Sequence, residues 1–189
     1  LKRLTLYKII MISKKKEFSF NVTDHGFISG IYFNYIIKNI KKCLIKNKKI
    51  KVLDFGCGHG HFKRKLGNQD NIKVINYDII KEYSDIKNWR NIKFDYLVAT
   101  HVFMYFRKKE LETLLSSLKK HNPNLKMIIV ISKQGFLNNL GKFILNEPDA
   151  HKGTLLNHKE EIKILRNFTI IKFRKNLMFL SDLFSLEFK

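Results

Sequence analysis

The side chains best placed to do chemistry are three aspartates, Asp54, Asp78 and Asp85, and two histidines, His101 and His151. Asp54 lies within Val52-Leu53-Asp54-Phe55-Gly56-Cys57-Gly58-His59-Gly60, an apolar run that breaks into glycines. Glycines at such a turn admit positive φ and let a ligand lie against bare backbone. A helix starting near His61 would turn its first amides toward that ligand. The spacing is G-x-G-x-G, whereas a dinucleotide site needs G-x-G-x-x-G, with the third glycine inside the helix. Asp54, two residues ahead of the first glycine, would repel a pyrophosphate and suits an ammonium group. Asp78 follows Asp54 by 24 residues, ends the next apolar run, and can accept hydrogen bonds from ribose hydroxyls. A ribose at one end and a cation at the other fit S-adenosylmethionine.

The elements that must position these groups alternate. Ile50 to Phe55, Ile72 to Tyr77, Phe94 to Ala99 and Met127 to Ile131 are short continuous apolar runs, as in parallel strands covered on both faces. Between them Leu111, Leu114, Leu115 and Leu118 mark one face of a helix. Asn157 with Glu160 three residues on reads as a capping box opening a helix through Ile162 and Leu165. The order predicts an α/β doubly wound, mostly parallel sheet. Its last strands, around Phe168 to Lys175 and Leu177 to Phe188, are close enough to form an antiparallel pair. Ahead of the sheet, Phe27 to Ile45 reads as a helix with a basic C-terminal end. Core packing is the expectation for it, ahead of an amphipathic helix lying on a membrane.

Composition bounds the rest. In 189 residues, 37 Lys plus Arg stand against 16 Asp plus Glu, a formal charge of +21. That balance admits nucleic acid or an anionic membrane surface as a partner. Yet 31 of the 37 are Lys, and Ile, Asn, Phe and Tyr are also abundant, as A/T-rich codons would produce. At 44% hydrophobic with two prolines, the chain is neither a disordered tail nor, with only Cys43 and Cys57, a disulfide scaffold. No apolar run reaches the length of a membrane span, and residues 1–16 lack the pattern of a secretory signal. The expected compartment is the cytoplasm, with Met11 an alternative start. A single domain is expected: residues 1–48 an extension and helix, 49–132 the ligand-binding half, 133–158 an insertion, and 159–189 a C-terminal helix and strands.

Val52 to Gly60 resembles the first motif of the class I S-adenosylmethionine-dependent methyltransferases, and Tyr77-Asp78 resembles their second. Phe94 to Phe103 is similar to their fourth strand and the loop after it; the likeness covers roughly residues 50–175. It implies a Rossmann-like methyltransferase fold with S-adenosylmethionine as cofactor. The implied cofactor-binding positions are Asp54, Gly56, Cys57, Gly58, Asp78, Ile79, Asp85 and Thr100. Asp54 and Gly56 would hold the methionine end, Gly58 would approach the cofactor closely, Asp78 would bind the ribose, and Asp85 is the candidate for adenine. Only 15 residues separate Asp78 from Phe94, so the family's third strand is expected to be reduced or lost. Where many small-molecule members carry a Glu-His pair, this chain has Met104-Tyr105, and the Asn-Pro-Pro-Tyr type loop of amino-group methylases is absent.

Methyl transfer from a sulfonium is an in-line displacement in which the protein aligns the nucleophile and removes water. A base helps when the acceptor is a hydroxyl. His101 ends the fourth-strand motif, where open α/β sheets present ligands, and is a candidate base or pocket wall. His151, with Asp149, lies in the stretch from Ser132 to His158, which carries a helix-like apolar set from Phe136 to Leu145 and would cover the acceptor. His151 reads equally as a functional group or as part of a turn, and Asp149 after Pro148 reads rather as a turn. His59 and His61 flank Gly60 without an acidic cluster, so no metal is expected. The leading expectation is methyl transfer to a small-molecule, lipid or glycan acceptor, at oxygen. The alternatives are an RNA-modifying methyltransferase, favoured by the charge, and a cofactor-binding protein of this fold that does not catalyse. Contact with an anionic membrane would be a peripheral role for the basic surface.

Overall fold

The structure, a computed structural model, describes residues 27–44, 47–66, 70–133 and 153–189, and among these the alternation of buried runs resolves into six strands and four helices. The helices are α1 (Phe27–Cys43), α2 (His61–Leu66), α3 (Lys108–His121) and α4 (His158–Phe168). The strands are β1 (Ile50–Phe55), β2 (Ile72–Tyr77), β3 (Tyr96–Thr100), β4 (Lys126–Ser132), β5 (Thr169–Leu177) and β6 (Ser181–Phe188). They form one sheet in the order β2-β1-β3-β4-β6-β5. Strands β1 to β4 are parallel, and β6 lies antiparallel to both β4 and β5, so β5 runs with the first four. The C-terminal pair is thus present, with its turn two to three residues later than the apolar pattern suggested.

Strand β4 shows why the runs are continuous. Met127, Ile129 and Ile131 enter the core under α3 and α4, with Leu111, Leu115, Leu118, Ile164 and Leu165. Ile128 and Val130 face the opposite core, under α1 and α2, with Ile36, Ile37, Ile40, Phe62 and Leu66. A strand covered on both faces has no solvent side to demand polar residues. The same contacts decide the reading of α1: its apolar face is core, and Lys41 and Lys42 occupy its last turn.

Between β2 and β3 the chain forms two single 3-10 turns, Lys81–Tyr83 and Trp89–Asn91, and no strand. The third strand expected to be reduced is therefore missing from residues 78–95. Trp89 is almost fully buried and packs edge-on to Phe94 and His121, filling space in this shortened crossover. Helix α4 opens with the reciprocal capping box read from the sequence: Asn157 Oδ1 accepts from Glu160 N, and Asn157 N donates to Glu160 Oε2. No described helix is long and apolar enough to cross a membrane.

Candidate active site

The parallel strands deliver their C-terminal ends to one rim of the sheet, and the aspartates and His101 collect there. After β1 the chain folds back on the end of β2: Gly56 N and Cys57 N donate to Tyr77 O at 2.7 and 3.2 Å. Two glycines shape this turn. Gly56 has φ +71, and a Cβ on it would stand 2.6 Å from the Val102 side chain. The turn after β1 and the loop after β3 therefore meet at Gly56, which brings the loop that carries His101 to the glycine turn. Gly58 has φ +50, and a Cβ there would meet nothing within 4 Å. Its backbone borders open space, the cradle a ligand can occupy.

Asp78 ties the two motifs together. Its Oδ2 accepts from Gly58 N and its Oδ1 from Ile80 N, both at 2.9 Å. Ser84 fixes the aspartate backbone, its Oγ accepting from Asp78 N at 2.7 Å and donating to Asp78 O at 3.1 Å. A carboxylate oxygen has more than one acceptor site, so both oxygens retain capacity for hydroxyl donors. Ile79, beside it, is 67% exposed at the same rim.

Asp54 is only 4% exposed, and no hydrogen bond or ion pair to its carboxylate is found among the described residues. Burial, with repulsion from Asp78, pushes its pKa up to about 7. A buried acid of this kind lacks a cation, and the ammonium of a methionine moiety would supply one. Cys57 is pushed up to about 12 by burial and by Asp54, Asp78 and Asp85, so it remains a thiol rather than a nucleophile. S-adenosylmethionine thus fits the residues present: bare backbone at Gly58, an uncompensated acid at Asp54, and acceptor oxygens at Asp78.

Asp85 is turned toward the chain. Its Oδ2 accepts from Asn76 N and from Lys63 Nζ, each at 2.8 Å, and Asp85 N donates to Asn76 O at 3.0 Å. Burial alone would raise its pKa, but these partners hold it below the ordinary carboxylate range. The contacts make Asp85 a clasp between β2 and α2, and give no support of their own to adenine binding. His59 and His61 likewise have partners in the chain. Arg64 donates to His59 O and approaches His61 Nδ1 at 3.0 Å, while the His59 ring lies 4.5 Å from that of Tyr83.

His101 follows β3, which ends at the half-buried Thr100, and occupies left-handed backbone at φ +56. Few non-glycine residues sit there unless the surroundings enforce it. Its N–H donates to Val130 O at 2.9 Å, and its Nε2 lies 2.9 Å from Ser181 Oγ. Ser181 in turn accepts from the Tyr32 hydroxyl at 2.7 Å. Helix α1, the end of β3 and the start of β6 thus converge on one imidazole. The sequence did not point to Ser181, 80 residues from His101, since no local spacing marks such a contact. Behind it, Asp182 is 1% exposed and faces Arg174 at 2.7 Å, His158 at 3.0 Å and Lys133 at 3.2 Å. His151 and Asp149 lie outside the described residues. The end of that insertion is described, where Leu155 N and Leu156 N donate to Met104 O at 2.7 and 3.1 Å, next to Tyr105.

Residues 29–159 match the methyltransferase domain family, more than half of the chain, and the protein belongs to that family. It is an S-adenosylmethionine-dependent methyltransferase with the Rossmann-like fold of its class. No curated protein matches its sequence significantly. Among solved structures it is similar to the PH0226 protein from Pyrococcus horikoshii OT3, at 16% identity and TM-score 0.66 over 89% of this chain and 94% of that one. It is also similar to magnesium protoporphyrin IX methyltransferase from Synechocystis PCC 6803 with bound S-adenosylhomocysteine (14%, TM-score 0.53, 87% of this chain and 88% of that one). A third similar structure is the mitomycin 7-O-methyltransferase MmcR, at 9% identity and TM-score 0.58 over 87% of this chain and 55% of that one. At these identities the structures speak for the fold.

Proposed function

We propose that the enzyme methylates a hydroxyl oxygen of a small molecule, lipid or glycan, with His101 as the base. The observation that carries this reading is the imidazole held at the rim of the sheet by Ser181 and Tyr32, on the loop that touches Gly56. Asp54 and Gly56 hold the methionine end of the cofactor, Cys57 contributes backbone and a small side chain, Gly58 lies against the ligand, and Asp78 accepts from the ribose. Ile79 and Thr100, at the same rim, border the cofactor. When bound, the cofactor supplies a methyl group on a positively charged sulfur. The protein aligns the acceptor oxygen on the far side of that methyl and keeps water out. The His101 imidazole would take up the proton that the acceptor hydroxyl gives up on methylation. Ser181 Oγ, fixed by Tyr32, keeps the ring from turning away. The solved O-methyltransferase among the similar structures agrees with acceptance at oxygen.

Incubation with methyl-labelled cofactor and a panel of phenols, hydroxy lipids and glycans tests the reading. His101→Gln should lower turnover of the accepted compound about 100-fold or more and leave cofactor affinity within about twofold. Equal turnover by the variant refutes the base. The charge of +21 favours an RNA acceptor as the second reading; label entering transfer or ribosomal RNA, and no hydroxyl compound, would establish it. A protein that binds cofactor and transfers no label to any of these would be the non-catalytic member.

A further inference from the structure

The hairpin joining β5 to β6 turns on two apolar residues that its backbone does not favour. Leu180 N donates to Leu177 O at 3.0 Å, and the residues between, Met178 and Phe179, both have positive φ, 50 and 62. This is the geometry of a type I′ turn, which asks for Asn-Gly or Asp-Gly. Asn176 Oδ1 accepts from Phe179 N at 2.8 Å and locks it. Met178 is 56% exposed and Phe179 72%, so core packing does not account for either side chain. Backbone strain persists where function retains it.

The surroundings indicate a partner. Seven large apolar residues are exposed among the described residues, and four of them, Ile170, Phe173, Met178 and Phe179, belong to this hairpin. A fifth, Ile31, adjoins Tyr32, whose hydroxyl reaches Ser181 at the hairpin base. Cations stand beside the apolar tip: Lys133, whose backbone N–H donates to Leu180 O, and Arg174 both pair with the buried Asp182, and Lys175 is bonded to the neutral Asn39 amide. Because β5 runs parallel to β1 through β4, the turn stands at the same end of the sheet as the glycine loop and His101.

We infer that this hairpin docks the enzyme on an anionic lipid bilayer, Met178 and Phe179 entering the boundary of headgroups and chains while the surrounding cations meet the headgroups. Apolar insertion combined with attraction to anionic lipid is how surface-binding elements hold to membranes. A bilayer fits better than RNA, because Phe179 alone offers a ring for a base to stack on, and Met178 adds neither a flat face nor a strong donor or acceptor. The inference stands apart from the choice of acceptor, although docking at this end would present the active-site rim to molecules in the bilayer.

Co-sedimentation of the full chain with phosphatidylcholine vesicles, with and without phosphatidylglycerol, tests this at about 0.1 M and about 1 M salt, where the Debye length is about 10 and about 3 Å. Binding should appear on the anionic vesicles at low salt, at least tenfold tighter than on neutral ones, and weaken at high salt. The double variant Met178→Asn, Phe179→Gly suits the turn, so its Tm should rise by roughly 2–4 °C while vesicle binding falls at least tenfold. Its titration with S-adenosylhomocysteine, unchanged from wild type, shows that the fold is intact. Wild-type protein that ignores anionic vesicles, or a double variant that binds them equally well, overturns the inference. So does tip-dependent binding of a short RNA, or a dimer abolished by the variant, without vesicle binding.

Discussion

At the scale of single residues, the buried acids set the behaviour with pH. Asp54 titrates near 7 because burial, reinforced by Asp78, disfavours its charge. A bound ammonium favours the ionised form, so S-adenosylmethionine should bind about tenfold more tightly per unit of pH from 5 toward 7. The dependence should vanish in Asp54→Asn, which binds weakly throughout; a flat wild-type profile would remove the cation from this site. Glu161, buried on α4, is pushed up to about 8 by burial alone. A raised native pKa means that the folded state holds the proton more firmly than the unfolded one. Stability is therefore highest below about 4.5 as far as this group is concerned, and falls as pH rises to about 8. Thermal melts of Glu161→Gln should match wild type near pH 5 and exceed it near pH 9; a constant difference would contradict this. Asp54 was legible because its type and distance from Gly56 carry the chemistry. Glu161 was hidden, since its sequence context is that of an ordinary first helical turn.

At the scale of elements, the two glycines give different expectations from the same substitution. Gly56→Ala places a methyl against Val102 in left-handed backbone and should cost about 2–4 kcal/mol of stability. Gly58→Ala meets no atom of the chain and should cost about 1–2 kcal/mol, while weakening cofactor binding at least tenfold. Denaturant melts and titrations of both variants separate the effects, and equal stability losses would refute the assigned geometry. The strands, the α3 face and the Asn157 capping box were readable because their signals lie within about ten residues of sequence. The partners of Asp85 were not readable in that way: its carboxylate is engaged by Asn76 and Lys63, which only the β2–α2 packing brings near. Ser181 and Tyr32 were unreadable as partners of His101 for the same reason, being joined through tertiary structure alone.

Across the whole molecule, a sheet lacking the third strand still aligns β1, β2 and β3, the three ends that carry Asp54, Asp78 and His101. Loss of the outer strand removes material beyond β2 and leaves the glycine turn and Asp78 untouched. The shortening was visible in the 15-residue interval before Phe94. That Trp89 would fill the vacated space was not. The charge of +21 is likewise an incomplete description of the surface, since only the structure shows cations gathered around an apolar turn. The central claim is that one site, built from the ends of β1 and β2, holds the methyl donor. Isothermal titration of S-adenosylmethionine into wild type and Asp78→Ala tests it directly. Wild type should bind with Kd well below about 1 mM, and the variant at least tenfold more weakly at unchanged fold. No binding by wild type at millimolar cofactor, or equal affinity in the variant, would contradict it.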